Sequence, residues 1–336
     1  MSCNVSYGYA VARCRTMELR LLDSQAFSRL LDAGDTASFL KILGETSYGK
    51  YIANNSLDFD ALLEQVLQDT YEEIASFIPD ERLTAILKLP YDFHNLKVVL
   101  KSLYFSQKSD KKRWSLVTYL GTVPPEAFIA AFETEHFSDL PPFFARLCVE
   151  ITPMLQLQKN DMLSLEQFLD RKMYEESLSL ASQLQCPEIV SWIKLKIDLE
   201  NLRSLLRLKR FDVTVSEAIP FLYDFGNVPV AELANLLKED ILLWENYLEN
   251  YGIGKIFQKV KLLGNFSKDI VTLECAIDIF LLEAIRQSRY SSDSPANILA
   301  FLWGKELEVK NLRVVYVSKS LSQKGEEVRG LLRDGF

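Results

Sequence analysis

Histidine is almost missing from this 336-residue sequence: His94 and His136 are the only two, which excludes a histidine-rich metal centre. Cysteine is sparse as well. Its five residues, Cys3, Cys14, Cys148, Cys186 and Cys275, are scattered and never form a CxxC pair. No spacing among them resembles a zinc site, and they read as reduced thiols of a cytosolic chain. Long hydrophobic runs are lacking too. No stretch of about eighteen uncharged apolar residues occurs, so no bilayer-spanning helix is expected. Residues 1–15 show no charged segment leading into an apolar one, as a secretory leader would.

Positive charge is also short. The formal net charge is −8, whereas a nucleic-acid binder needs a dominant basic footprint to neutralise phosphates. The same sign disfavours adhesion to an anionic lipid surface. The one cationic cluster, Lys108, Lys111, Lys112 and Arg113, is interrupted by Asp110 and reads as a solvated linker. Only 13 glycines and 11 prolines punctuate the chain, so long helices are sterically open. Alternating β-type runs are nearly absent; residues 314–318 are the one stretch that could be read as a strand.

What the sequence does contain is a repeat. Asp92-Phe-His-Asn95-Leu-Lys97 recurs as Asp198-Leu-Glu-Asn201-Leu-Arg203 and as Glu308-Val-Lys-Asn311-Leu-Arg313. The shared pattern is acid, two residues, Asn, Leu, base. Each copy is preceded by a proline (Pro79, Pro187, Pro295), which suits the first turn of a helix, with Ser294 as an N-cap. Further upstream lie acidic pairs at helical i, i+4 spacing: Asp60/Glu64, Glu166/Asp170 and Glu274/Asp278. Gly121-Thr-Val-Pro124 is matched by Gly226-Asn-Val-Pro229, and Ala127-Phe128 by Ala26-Phe27. Leu96, Val99, Leu100 and Leu103 make one helical apolar stripe, repeated at Leu202, Leu205 and Leu206 and at Leu312, Val315 and Tyr316.

The period of about a hundred residues is too long for a helical solenoid. It fits domain-sized bundles that each bury a core. The expected fold is all-α: three similar helical-bundle lobes at 1–107, 108–213 and 214–336, the last with a charged C-terminal tail. Three such lobes can close into a pseudo-threefold funnel with an axial socket. Within each lobe the acidic helix is expected to face the Asn and the basic residue of the motif helix, tying the two by charge-assisted hydrogen bonds.

Residue patterns that imitate catalytic or ligand sites have plainer readings. Gly44-Glu-Thr-Ser-Tyr-Gly49-Lys50-Tyr51 matches GxxxxGK, but Tyr51 stands where Ser or Thr must ligate Mg²⁺, and the preceding segment reads as helix. A helix end capped by Gly44 or Gly49 is the expectation. Gly252-Ile-Gly254 reads as a turn. His94 reads as a packed or capping residue, and His136, among Glu133, Glu135 and Asp139, as a solvated helix end. No catalytic residue, cofactor or metal is expected.

Three stretches carry a family resemblance: Tyr7-Gly-Tyr-Ala10-Val-Ala12-Arg13 running to Glu18-Leu-Arg-Leu-Leu22, Pro90-Tyr-Asp-Phe-His-Asn-Leu-Lys97, and Ile197–Arg203 with Asn311-Leu-Arg313. The chain resembles the C subunits of the prokaryotic V/A-type rotary ATPases, equivalent to the d subunit of the eukaryotic vacuolar enzyme. That resemblance implies a funnel-shaped, non-catalytic rotor component without a nucleotide site. Its implied partners are the D and F subunits of the central stalk and the membrane rotor ring of proteolipid (c/K) subunits. It would sit on the cytoplasmic side, peripheral to the membrane, and couple ATP turnover or synthesis to ion transport. Val317, where the other copies carry Lys101 and Arg207, departs from strict equivalence of the lobes. The alternative reading is a free-standing helical scaffold for protein–protein interaction.

Overall fold

Short polar residues start five of the helices. Asp23, Asp35, Asp58 and Asp240 each accept a backbone N–H of the following turn, and Thr214 with Glu217 forms a capping box, so the unpaired donors of the first turn are satisfied. A computed structural model describes residues 6–54, 58–105, 114–157, 162–263, 270–323 and 325–333. The basic cluster at 108–113 and Cys3 lie outside them. Among the described residues all regular structure is helical.

The chain runs through α1 (Gly8–Glu18), α2 (Ser24–Asp32), α3 (Thr36–Gly44), α4 (Gly49–Asn54) and α5 (Phe59–Ala75). Then come α6 (Arg82–Leu100), α7 (Pro125–Thr134), α8 (Pro142–Leu157), α9 (Met162–Gln183) and α10 (Pro187–Lys209). The short α11 (Val215–Ala218), α12 (Val230–Asn235), α13 (Ile241–Glu249) and α14 (Lys255–Leu263) follow. The last three are α15 (Ile270–Arg286), α16 (Ala296–Ser320) and α17 (Gly325–Arg329). The strand-like stretch 314–318 lies inside α16. Pro187 is the first residue of α10 and Pro295 immediately precedes α16, where the Ser294 hydroxyl accepts the Ala296 N–H at 3.3 Å. Pro79, however, lies three residues ahead of α6; an acidic turn at residues 80–81 comes between and delays the helix.

Two compact units result. One is Arg82–Gln183, the other Met1–Glu81 together with Leu184–Phe336. These cuts differ from the ends of the sequence copies: α6, which carries the first motif, packs on α7 and α9 of the second copy. In that unit Phe93, Leu96, Val99 and Leu100 of α6 bury against Phe128, Phe132, Phe144, Leu147, Ile151 and Leu169, with Phe128 and Phe144 edge-to-face at 5.2 Å.

In the other unit α16 is the central helix. Every residue from Ala296 to Val309 is buried, so its charged residues need partners inside the protein. They have them. Tyr71 donates to Glu306 at 2.5 Å, and Lys305 donates to Glu308 at 2.5 Å and to the Tyr48 hydroxyl at 3.0 Å. Trp192 of α10 and Trp303 of α16 meet edge-to-face at 5.4 Å. Among the described residues no helix is long and apolar enough to cross a membrane.

Cys14, Cys148, Cys186 and Cys275 form no disulfide and are buried. Burial pushes the Cys14 and Cys148 thiols up to about 12, which keeps both protonated and unreactive at neutral pH.

Candidate functional site: a threefold clamp on the motif helices

The three motif asparagines do the same thing. Asn95 donates to the Thr118 carbonyl at 2.8 Å and accepts the Thr118 N–H at 2.9 Å. Asn201 makes the same pair of bonds with Tyr223, both at 2.8 Å. Asn311 makes it with Arg333, at 3.1 and 2.9 Å. A side-chain amide presents an N–H donor and a carbonyl acceptor side by side, so it pairs with the C=O and N–H of one residue as a neighbouring strand would. Asp, Leu or Ser in its place would leave one or both backbone groups unpaired. All three asparagines are buried, which makes such a vacancy costly. The expected role of these asparagines, facing the acidic helix, is therefore replaced by a clamp on a loop.

The motif acids grip the next few residues along. Asp92 accepts the Thr122 and Val123 N–H groups at 2.8 and 2.9 Å and the Thr122 hydroxyl at 2.7 Å. Asp198 accepts the Asn227 and Val228 N–H groups at 2.9 and 3.1 Å and the Asn227 amide at 3.0 Å. The glycines of the repeated Gly-x-Val-Pro stretch make this approach possible. A Cβ at Gly121 would stand 2.3 Å from the Asp92 carboxylate oxygen, and one at Gly226 1.9 Å from that of Asp198.

The third copy solves the same problem differently. Its loop is the N-terminal segment, where Leu22 takes the place of Val123 and Val228. Arg20 then stands where the glycines would be. The acid is Glu308, one methylene longer, and it takes the Leu22 N–H at 2.6 Å and the Tyr48 hydroxyl at 2.5 Å. A longer side chain lets the carboxylate stand off from a backbone that carries a Cβ.

The motif bases close each junction. Lys97 lies 2.5 Å from Asp170, and Lys101 pairs with Glu166. Arg203 and Arg207 reach Glu274 at 3.3 and 3.1 Å. Arg313 reaches Asp60 at 2.6 Å. Each base was expected to meet the acidic helix of its own copy; each instead meets that of the next copy, and the third meets the first. The reason is packing: α6 lies along α9, α10 along α15 and α16 along α5, where Tyr316 stacks on Phe59 with ring centroids 4.0 Å apart. Val317 is half exposed and brings no charge to its junction, so the pairing made by Lys101 and Arg207 has no counterpart there.

The C-terminal tail completes the third junction. Besides holding Asn311, Arg333 pairs with Asp278 at 3.0 Å, and Lys310 reaches the same carboxylate at 3.2 Å. The Cys275 thiol donates to the Leu331 carbonyl at 3.2 Å. Asp278 belongs to a repeated acidic pair, but no repeated motif marks Arg333, Lys310 or Leu331 in the sequence. The only hint is the spacing: Arg333 lies 22 residues after its Asn, as Tyr223 lies 22 after Asn201.

Burial pushes the Asp92 carboxyl up to about 6 against the pull of the Val123 and Thr122 donors, and Asp198 shifts upward from the same cause. A native state that holds a proton more tightly than the unfolded chain loses stability as pH rises between the two pKa values. This contribution is therefore fully present below about pH 4 and declines as pH rises to about 6. Asp92→Asn keeps one oxygen for both N–H donors, and its amide can donate to the Thr122 hydroxyl. We expect urea unfolding of this variant to lose part of the decline between about pH 4 and about pH 6, with little loss of stability at neutral pH. An unchanged pH profile would count against a buried, upshifted Asp92.

The other sequence candidates are structural. The His94 ring nitrogen lies 2.8 Å from the Leu116 carbonyl. His136 follows a helix end formed by left-handed Glu135 (φ 54°). One nitrogen of His136 faces both Ser138, at 2.6 Å, and Asp139, at 3.9 Å. A base that activates a hydroxyl needs its second nitrogen oriented by the acid, so this surface turn is not a triad. Gly44 ends α3 and Gly49 begins α4, a helix–turn–helix in place of the strand that a phosphate loop follows. Among the described residues no group of three metal-ligating side chains forms.

Similarity to known proteins runs through all three junctions. Over residues 10–331 the chain matches the family described as ATP synthase (C/AC39) subunit. It is 25% identical over 320 residues to the C subunit of the V-type sodium ATPase of Enterococcus hirae, covering 94% of this chain and 95% of that one. With the C subunit of the A-type ATP synthase of Desulfurococcus it shares 26% over 319 residues, 92% and 85% of the two chains. With that of Methanocaldococcus jannaschii it shares 24% over 352 residues, 97% and 86%. A match across both compact units and all three motif helices places this chain in the C/AC39 family of V- and A-type ATPase subunits.

Proposed function

We propose that this chain is the non-catalytic central-rotor subunit of a V/A-type rotary ATPase, joining the central stalk to the membrane rotor ring. The observation that carries this reading is the threefold clamp in a chain of the C/AC39 family. Three long helices, α6, α10 and α16, are each pinned by an acid and a base to segments of another copy. An asparagine pins each to a backbone segment that lies in the next copy for α6 and α10 and in the same copy for α16. A part that transmits torque must resist shear between its helices, and hydrogen bonds buried in a low-dielectric interior resist it better than exposed contacts. The ion pairs run from first copy to second, second to third and third to first. That cyclic order supports a pseudo-threefold arrangement of three bundles, here assigned to 1–107, 108–213 and 214–336, around an axial socket for the D and F stalk subunits.

On this reading the protein lies on the cytoplasmic side, held to the ring of proteolipid subunits by protein contacts. The shared chemistry of the motif residues Asp92, Asn95, Lys97, Asp198, Asn201, Arg203, Glu308, Asn311 and Arg313 is structural: they set the rigidity of the body. Deleting the chain is expected to leave ATPase activity detached from membranes and to abolish ATP-driven ion uptake by membrane vesicles. Ion pumping that persists in the deletion would refute the coupling role.

A further inference from the structure

One concavity lies outside the clamp framework. Val11, Cys14, Arg15 and Glu18 of α1, Leu21 and Leu22 beyond it, Arg286 at the end of α15 and Arg289 in the turn that follows enclose a cleft of about 460 Å³. That is within the usual size of a small-molecule site, about 300–1,000 Å³. Three guanidinium groups from two separate parts of the chain meet around it, in a protein whose net charge is −8. Their placement is built, not incidental: Arg15 donates to the Arg289 carbonyl at 2.5 Å, fixing α1 against the turn that follows α15.

The repeat does not call for these arginines. The positions aligned with Arg15 in the other two copies are Leu116 and Phe221, and those aligned with Glu18 are Tyr119 and Asp224. Two acids line the cleft. Asp23 is occupied as the N-cap of α2, accepting the Ala26 N–H at 2.8 Å. Glu18 is the remaining carboxylate, and it lies in the field of Arg286, Arg15 and Arg289.

We propose that this cleft binds a phosphate-bearing anion through Arg15, Arg286 and Arg289. Guanidinium groups pair with phosphate and carboxylate oxygens through parallel N–H···O bonds. Three of them supply more donors than the two oxygens of one carboxylate can take, whereas a terminal phosphate offers three oxygens and close to two charges. The apolar wall of Val11, Leu21 and Leu22 leaves room for an uncharged portion beside the phosphate. Glu18 opposes the ligand, so its neutralisation strengthens binding.

The test uses the full chain and two sources of the same chemistry. Calorimetric titration with pyrophosphate probes a soluble phosphate compound. Co-sedimentation with phosphatidic acid vesicles, against phosphatidylcholine vesicles, probes a lipid headgroup. One saturable site for either phosphate source is expected. Arg289→Gln should weaken it about tenfold or more, as loss of charge-assisted hydrogen bonds implies, and Glu18→Gln should strengthen it. Arg289 is exposed, and thermal melts of both variants check that they fold; because Glu18→Gln predicts a gain, misfolding cannot imitate it. No saturable binding in either arm overturns the proposal, as does binding indifferent to both substitutions. Binding of a glutamate-rich peptide in preference to both phosphate sources overturns it as well.

Discussion

Asp198→Ala is expected to lower the unfolding free energy by about 3 kcal/mol, because it strands the Asn227 and Val228 N–H groups that the carboxylate now satisfies. Gly226→Ala should cost a similar amount for a different immediate reason. Its new Cβ would lie 1.9 Å from the Asp198 carboxylate oxygen and 2.8 Å from the carboxyl carbon, so the acid must leave the loop. Both losses are the loss of one clamp, and the double variant should therefore be little less stable than either single one. Urea unfolding of the four proteins completes the cycle. Additive effects would show that Gly226 is required for something other than the approach of Asp198. Asp92→Asn differs from both: there the acceptor remains, so the clamp keeps its bonds while giving up a buried charge.

Removing residues 324–336 is expected to cost more, about 5 kcal/mol, summed from lost burial and stranded polar groups. The segment carries the Arg333 backbone that pairs with Asn311 and the guanidinium that pairs with Asp278. It also carries Val328 and Leu332, which are buried and contribute about 1.5–3 kcal/mol each. Truncation leaves Asn311, 1% exposed, without its two backbone bonds. Asn311→Ala isolates that component and should account for about 2 kcal/mol of the total. Denaturant midpoints measured on the truncated chain and the point variant together decide the matter. A truncated chain as stable as the parent would mean that the tail merely rests on the third junction.

Much of this architecture could be read from residue order alone. The acid–x–x–Asn–Leu–base pattern named nine residues, and all nine form inter-segment bonds. The apolar stripes on α6, α10 and α16 are buried as their spacing implies, apart from Leu103, just past the end of α6, and Tyr316, which are partly buried. The chemistry of the acidic pairs points to the motif bases as partners, but each pair meets the base of another copy and not that of its own. Simple counting held the clue: Asp60/Glu64 precede every motif, and Glu308–Arg313 follow every acidic pair, so the unmatched ends belong together. The buried charges of α16 were not legible. Lys305 and Glu306 look like any solvated helix residues, and the tyrosines that satisfy them, Tyr48 and Tyr71, lie more than 200 positions away.

The scarcities of this sequence mark the division between the two kinds of information. Few glycines and prolines, two histidines and a motif written three times are properties of composition and order. By themselves they determined an all-helical chain and which polar residues would bind its segments together. Which segment each motif grips was decided only in three dimensions, because hydrogen bonds and ion pairs depend on distances between helices, and those follow from how side chains pack. The same packing made the N-terminal segment and the C-terminal tail complete the third junction, and it gathered Arg15, Arg286 and Arg289 around one cleft from positions 274 residues apart.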